Sequence, residues 1–343
     1  MAKNNYLRMR EDFQAAHISS SVEKLITNTS LTAGCWGNRE AIPMKWKKKR
    51  LLIRYAEALL GQLERAHVRR FGRKHAPRKY NEWTHAVLLS FKQLFDKSYR
   101  FVIEQLALMT PLLQLLQISE VPHFTTLQKA ALRFRGELIE RVISSFVLST
   151  KSKAVRYGID STGFQATRCS SYYTTVISKQ RKHRRKIRRH IKLSTVVDLD
   201  HQLPATFKIR RGPASDHKDA DKIILKTKAV KPAKSMDGDK GYDAEGHHRI
   251  VVEELNAEDR IKIKNKEVPI HRTKGAYRKA RKKRKLIANY RSLCETYHSQ
   301  KRVVGSTVRA VKVKTQNQEV RFKILAIATL RKVGGILHKQ LFY

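Results

Sequence analysis

Acidic residues are scarce in this chain. Its 343 residues hold 29 Asp and Glu against 73 Lys and Arg, a formal net charge of +44. A surface that positive attracts polyanions, of which nucleic acid is the commonest, with a ribosomal-type or merely adhesive basic protein as the plain alternative. Cysteines are also few. Cys35, Cys169 and Cys294 are odd in number and far apart, which excludes a disulfide framework and a zinc ribbon. Long apolar runs are missing: "LALMTPLLQLL" (106–116) is interrupted by Pro111 and falls short of the roughly 20 residues that a membrane helix needs. The opening "MAKNNYLRMREDFQ" lacks the apolar segment of a signal peptide. The expectation is a reduced, intracellular protein with no membrane partner.

What is present is enough apolar residue to fold, 41 % of the chain, at a length that allows two or three domains. Residues 1–45 show weak periodicity and stay unassigned. From 51, "LLIRYAEALLGQLERAHV" carries Leu52, Ala56, Leu59, Leu63 and Ala66 at helical spacing, and "NEWTHAVLLSFKQLF" and "SYRFVIEQLALM" continue in kind. Thr110 with Pro111 reads as an N-cap and first helical position. In "HFTTLQKAALRFRGEL", Thr125 and Gln128 form a capping-box pattern. Leu127, Ala130, Ala131 and Phe134 make an apolar stripe there, with Gln128, Lys129, Arg133 and Arg135 outside it. Residues 46–150 therefore read as all-helical. A short helix with an apolar back and a basic front fits a helix-turn-helix, in which Lys129 and Arg133 would meet DNA, and equally an ordinary bundle with a solvated face.

At 151 the period changes. "AVRYGIDS" (154–161), "KLSTVVDL" (192–199) and "LPATFKIRRG" (203–212) predict strands. A helix is expected over 219–230, a strand at "AKSMDGD" (233–239), a helix over 243–255, a strand at "RIKIKNK" (260–266) and a basic helical stretch from about 276 to 303. This pattern predicts a mixed sheet with helices packed on it, over 151–343. Two basic runs, 179–192 and 272–285, each hold nine Lys or Arg in fourteen positions. They fit phosphate-backbone surfaces, Arg184 and Arg185 included, or solvated faces. Tyr172 and Tyr173 suit stacking on bases or a place in the core.

Against that background "MDGDKGYDAE" (236–245) gathers four acids, Asp237, Asp239, Asp243 and Glu245. A carboxylate beside a phosphodiester is unfavourable unless a cation lies between them, and Mg²⁺ takes hard oxygen ligands. Asp160 follows the apolar "VRYGI", Asp239 ends "KSMDGD", and Glu295 lies in "YRSLCETYHSQKR" four residues after Arg291. Each also has a plain reading: turn capping for the two aspartates, pairing with Arg291 for Glu295. Asp237 rivals Asp239. Asp243 and Glu245 suit the first turn of the next helix. His217 reads as a surface-loop histidine and Cys294 as packing.

The segments "GIDSTGF", "DGDKGYDA" and "YRSLCETYHSQKR", in that order and approximate spacing, resemble insertion-sequence DDE transposases, particularly the insertion sequence 5 family and its relatives. "KSYRFVIEQL", "VPHFTTLQKAALRF", "RRGPASDHKDADKI" and "RFKILAIATLRKV" extend the resemblance over roughly 80–335. It implies an RNase H-like catalytic domain preceded by an all-helical DNA-binding domain. It also implies Asp160, Asp239 and Glu295 as catalytic ligands of two Mg²⁺ (or Mn²⁺) ions, with Arg291, Lys301 and Arg302 contacting DNA. The family's third motif, Tyr-x2-Arg-x3-Glu-x6-Lys, is matched at Arg291 and Glu295. Arg302 beside Lys301 holds the Lys position, and Ala288 replaces the Tyr, with Tyr290 two residues on. The implied activity is binding of terminal inverted repeats, metal-dependent strand cleavage and joining to target DNA. Its partners are DNA and further copies of the chain on DNA, and its setting is the nucleoid of a prokaryotic cell. Alternatives are an inactive or domesticated DNA-binding derivative and a structure-selective nuclease.

Overall fold

The structure, a computed structural model, describes residues 51–72, 79–166, 190–212, 214–284 and 290–334, without the side chain of Arg291. They belong to one compact unit, Arg50–Gly335. The readings made on residues 1–45, Cys169, Tyr172, Tyr173, Arg184, Arg185 and Ala288 lie outside the described residues.

The helical segment consists of α1 (Leu51–Arg65), α2 (Glu82–Phe95), α3 (Tyr99–Ala107), α4 (Thr110–Leu116), α5 (Phe124–Arg133) and α6 (Gly136–Leu148). In α1 the buried positions Tyr55, Ala56, Leu59, Gln62 and Leu63 recur at helical spacing. Side chains set two of the starts: Asn81 accepts from the Thr84 amide at 2.8 Å and Ser98 from the Phe101 amide at 3.3 Å. Two expected caps differ. Helix α4 begins one residue early, with Met109 at the cap, so Thr110 is helical and Pro111 still falls in the first turn, where its missing N–H costs nothing. Helix α5 begins after His123 with no side-chain cap. Thr125 Oγ1 bonds His123 Nδ1 at 2.9 Å instead, so the capping box does not form. The stripe of α5 is as expected, with Leu127, Ala130, Ala131 and Phe134 buried and Gln128, Lys129, Arg133 and Arg135 exposed.

A six-stranded mixed sheet follows, in the order β3-β2-β1-β4-β5, with β6 pairing on the end of β1. Its strands are β1 (Val155–Ala166), β2 (His190–Asp198), β3 (Leu203–Arg211), β4 (Ala233–Gly238), β5 (Glu258–Ile261) and β6 (Thr307–Val308). The β1–β2 and β2–β3 pairs are antiparallel, and β1–β4 and β4–β5 are parallel. Between them run α7 (His217–Lys226), α8 (Glu245–Arg249), α9 (Ala276–Lys283), α10 (Arg291–Ser299) and α11 (Val313–Lys332). Strand β5 lies two residues earlier than expected. The helix expected over 243–255 starts at Glu245 and passes into a π-helical turn, Ile250–Glu254. The basic stretch expected as one helix is two, α9 and α10.

Helix α11 is buried along nearly its whole length, through Val320, Phe322, Ile324, Leu325, Ala326, Ile327, Ala328 and Leu330. It packs on α1, α2, α5, α6 and β3, and α6 packs on β3 as well. The helical segment and the sheet thus share one core.

Candidate active site

The register of β1 and β4 decides where the two aspartates stand. Ile159 pairs with Gly238, and Gly158 with Asp237, on adjacent parallel strands. Asp160 and Asp239 are the next residues along, and the chain at Asp239 is still extended (φ −77°, ψ 168°). They therefore occupy equivalent positions on neighbouring strands, whose backbones lie about 4.8 Å apart. Alternation then puts Gly158, Asp160, Asp237 and Asp239 on one face. That face is covered by α10: a Cβ on Gly158 would collide with Cys294 Sγ and Leu199. Glycine at 158 is what lets α10 approach β1 so closely, and buried Cys294 is packing, as its sequence context suggested.

Glu295 follows Cys294 and is exposed on the flank of α10. One turn on, His298 lies against the sheet, 8 % exposed; its Nε2 stands 4.0 Å from Asp160 Oδ2 and makes no hydrogen bond itself. Burial holds its pKa down to about 4, against a hydrogen bond to the Asp160 backbone. Asp160 Oδ1 accepts from the Ser161 amide at 2.8 Å. Lys301 Nζ reaches back to β1, donating to Thr162 Oγ1 at 2.8 Å and to the Gly163 carbonyl at 3.1 Å. Burial, then the neighbouring Arg302 charge, lowers its pKa. Arg302 itself is exposed. Among the described residues no three His, Cys, Asp or Glu side chains converge as a metal-binding group. Strand β1 runs five residues past its expected end at 161, so Asp160 stands in mid-strand; the fold sets it beside Asp239 at the end of β4 and leaves Glu295 on the flanking helix.

The other acids of "MDGDKGYDAE" have separate tasks. Asp237 is 2 % exposed, with Oδ1 3.4 Å from Arg260 Nε. Burial raises its pKa, opposed by Arg260 and the Tyr290 backbone. Arg260 and Arg156 both stack on the Tyr290 ring, with guanidinium carbons 5.1 and 4.4 Å from its centroid. Asp243 lies before α8, outside its first turn. It takes two hydrogen bonds from Arg278 at 2.7 and 2.8 Å, one from the Lys264 amide at 2.8 Å and a contact from buried His248 at 3.1 Å. Burial works against its charge, but these partners pull its pKa down to about 2. Glu245 is the first-turn acid of α8 and also accepts from the Tyr277 and Arg278 amides, capping α9.

On the opposite face of β1, Ser161 Oγ donates to Asp216 Oδ1 at 2.6 Å. Lys192 Nζ, from β2, donates to the same oxygen at 2.5 Å and to the Ala214 carbonyl at 2.7 Å. Neither Asp216 nor Lys192 was singled out from sequence, although "DSTGF" and "ASDHKD" both were. The available signal was Lys192 itself, a cation inside the β-branched run "HIKLSTVV". His217 is exposed and stacks on buried His247 with centroids 5.2 Å apart.

Basic side chains have two destinies. In the run 272–285, Arg278 is taken by Asp243, Arg281 Nε donates to the Ile261 carbonyl at 3.1 Å and Lys282 Nζ to the Asn265 carbonyl at 2.9 Å. Lys274 and Lys283 remain exposed, as do Lys129 and Arg133 on α5. Among the described residues no helix is long and apolar enough to cross a membrane. No protein-family model matches the chain, and a search of curated proteins gives no significant match.

Proposed function

We propose that this chain is a DNA transposase of the insertion-sequence DDE type, with Asp160, Asp239 and Glu295 as its catalytic acids. The observation that carries the proposal is the placement of Asp160 and Asp239 at equivalent positions on adjacent parallel strands, on the face that α10 covers. The sheet order, with two antiparallel partners on one side of β1 and two parallel strands on the other, supports an RNase H-like reading of the fold. Helices α1 to α6 then supply the DNA-binding part, with α5 presenting Lys129 and Arg133.

Two partly exposed carboxylates side by side on neighbouring strands fit Mg²⁺ or Mn²⁺, which take one or two carboxylates and complete their shell with water and phosphate oxygen. Asp160 and Asp239 would hold the ions, and Glu295 would complete the set when DNA orders the site. When bound, such a pair supplies an activated attacking oxygen and a stabilised leaving oxygen for in-line displacement. The protein's own part is positioning. Lys301 is anchored at the edge of the site, where its charge meets a phosphate. Exposed Arg302, Arg291 at the start of α10 and the exposed Lys274 and Lys283 track the backbone, setting affinity and register. Water and then a freed 3′-hydroxyl serve as nucleophiles, so no Ser, Tyr or Cys nucleophile is required. Two element ends must be joined, so the chain self-associates on DNA, at the nucleoid.

The test is cleavage of labelled DNA carrying the gene's own flanks, with Mg²⁺, Mn²⁺ or EDTA. Cuts at the element ends that require metal, Asp160, Asp239 and Glu295, and that persist in Asp237→Asn, support the proposal. Salt-sensitive binding without cutting under any metal refutes it in favour of an inactive derivative. Cutting of branched DNA irrespective of the terminal repeats refutes it in favour of a structure-selective nuclease.

A further inference from the structure

We propose that Asp216 is a positioning residue that sets the spacing of Asp160 and Asp239 from the back of the sheet. The inference rests on reading those two acids as the metal-holding pair.

Asp216 immediately precedes α7, where an aspartate ordinarily caps the helix by accepting from its first amides. Here it does not: its backbone is already helical (φ −64°, ψ −34°) and its side chain makes no capping hydrogen bond. The carboxylate turns to the sheet instead. Its Oδ1 receives Ser161 Oγ, across 55 positions of sequence, and Lys192 Nζ. Ser161 is the residue after Asp160, so this bond fixes β1 beside the first acid. The other oxygen, Oδ2, lies 3.2 Å from where a Cβ on Gly241 would stand. Gly241 is two residues past Asp239, in the 3₁₀ turn Lys240–Tyr242. One carboxylate therefore touches both segments that carry the candidate ligands.

Lys192 makes the contact firm. It is 9 % exposed, belongs to the strand paired with β1 and also holds the Ala214 carbonyl, so the loop bearing Asp216 is tied to the sheet at two points. Charge-assisted hydrogen bonds of this length are the strong, directional kind. Burial opposes the carboxylate's charge, yet the Lys192 and Ser161 bonds outweigh it and keep its pKa below the ordinary value. Tyr242 fills the remaining space, 1 % exposed, its hydroxyl pKa raised by burial and then by the Asp216 charge. A bulkier residue at 241 or a missing hydroxyl at 161 would shift one acid relative to the other without removing either. Partners behind metal ligands typically change affinity by about 10- to 100-fold when lost.

The experiment measures Mn²⁺ binding to the full chain without DNA, by electron paramagnetic resonance, alongside thermal melting. The variants are Ser161→Ala, Ser161→Thr, Gly241→Ala and Asp216→Asn, with Asp160→Asn as the ligand-deletion control. Expected is a loss of Mn²⁺ affinity of about tenfold in Ser161→Ala and Gly241→Ala, and near wild-type affinity in Ser161→Thr, which keeps the hydroxyl. If Asp216→Asn fails to fold, the Ser161 and Gly241 variants decide alone. Mn²⁺ affinity unchanged in both, while Asp160→Asn abolishes binding, overturns the positioning role and leaves the site reading standing. Lower melting temperatures with unchanged affinity mean a purely structural bond and overturn it too. Absence of saturable Mn²⁺ binding by the wild type removes both readings.

Discussion

Lys323 offers the sharpest test of how the core holds the turn that carries Lys301 and Arg302. It is 0 % exposed in the middle of α11. Its Nζ donates to the Val304 carbonyl, to the Gly305 carbonyl at 3.1 Å and to Asp96 Oδ1 at 3.3 Å. Val304 and Gly305 end the 3₁₀ turn that carries Lys301 and Arg302. Gly305 has φ +75°, with the Asp96 carboxylate where a side chain would begin. Lys323→Met keeps the length of the side chain and removes only the ammonium. Each buried carbonyl left without a donor costs about 1–3 kcal/mol, and breaking a buried ion pair from one side costs about 3–5 kcal/mol. Two effects reduce the total: the ammonium no longer has to be desolvated, and half-exposed Asp96 keeps Arg309 at 3.8 Å. The expected loss is about 3 kcal/mol, a fall in Tm of roughly 4–5 °C, read by urea and thermal unfolding. Burial lowers the Lys323 pKa, opposed by Asp96 and Glu319. The folded chain therefore binds fewer protons there than the unfolded one. Wild-type stability should rise as pH climbs from the lowered folded value to the ordinary lysine range, and the variant should lack that rise. A loss below about 1 kcal/mol would show that the apolar packing of α11, not this cation, holds the turn.

Three further outcomes follow from the contacts. Asp243, held near pKa 2 by Arg278 and its neighbours, contributes stability that is present above the unfolded value near 3.9 and lost as pH falls toward 2. Asp243→Asn should narrow its stability gap from wild type by about 2 kcal/mol over that window, and a gap independent of pH would refute the assignment. Gly158→Ala forces a methyl against Cys294 and Leu199 and should cost about 1–3 kcal/mol. Adding Cys294→Ala should recover part of that, whereas additive effects in the double-mutant cycle would mean that α10 does not rest on Gly158. Lys301→Ala should slow cleavage about tenfold more than Arg302→Ala, ~1.4 kcal/mol of barrier, because only Lys301 is anchored on β1 at Thr162; equal losses would refute that distinction.

Short-range physics made much of this legible from residues alone. The strand at 192–199 shows itself through its β-branched residues, that at 203–212 through Pro204 and Gly212 at its ends, and the stripe Leu127–Ala130–Ala131 through helical spacing, because all depend on neighbours a few positions away. Caps were less legible. Thr125 and Gln128 have the right spacing for a capping box, yet the hydroxyl finds the His123 ring two residues away and the box is lost to a local competitor. In β5 the apolar alternation of "RIKIK" continues past the point where pairing with β4 ends at Ile261, so periodicity overran the strand.

Long-range partners were not legible, and the acids show why. Asp237, Asp239, Asp243 and Glu245 look alike in sequence, four carboxylates within nine positions of a basic chain. Their fates separate through partners 20 to 35 residues away or more: Arg260 for Asp237, Arg278 and Lys264 for Asp243, the amides of α9 for Glu245. Asp239 differs by standing at the open end of β4 beside Asp160, a fact of strand adjacency. The basic residues obey the same logic in reverse. A run of nine cations reads as a nucleic-acid surface, but Arg278, Arg281 and Lys282 are turned inward on acids and carbonyls. Charge density in the sequence thus overstates the DNA-facing surface by the number of cations the fold consumes. On the proposed function, the phosphate-tracking role falls to those it leaves outside, Lys274 and Lys283 among them. Salt-dependent DNA affinity should accordingly lose slope on Lys274→Ala and Lys283→Ala, about one unit for each phosphate contact removed. Arg281→Ala, which frees a buried carbonyl, should instead lower thermal stability with the slope unchanged; a slope change as large as that of Lys283→Ala would mean that the buried guanidinium reaches DNA after all.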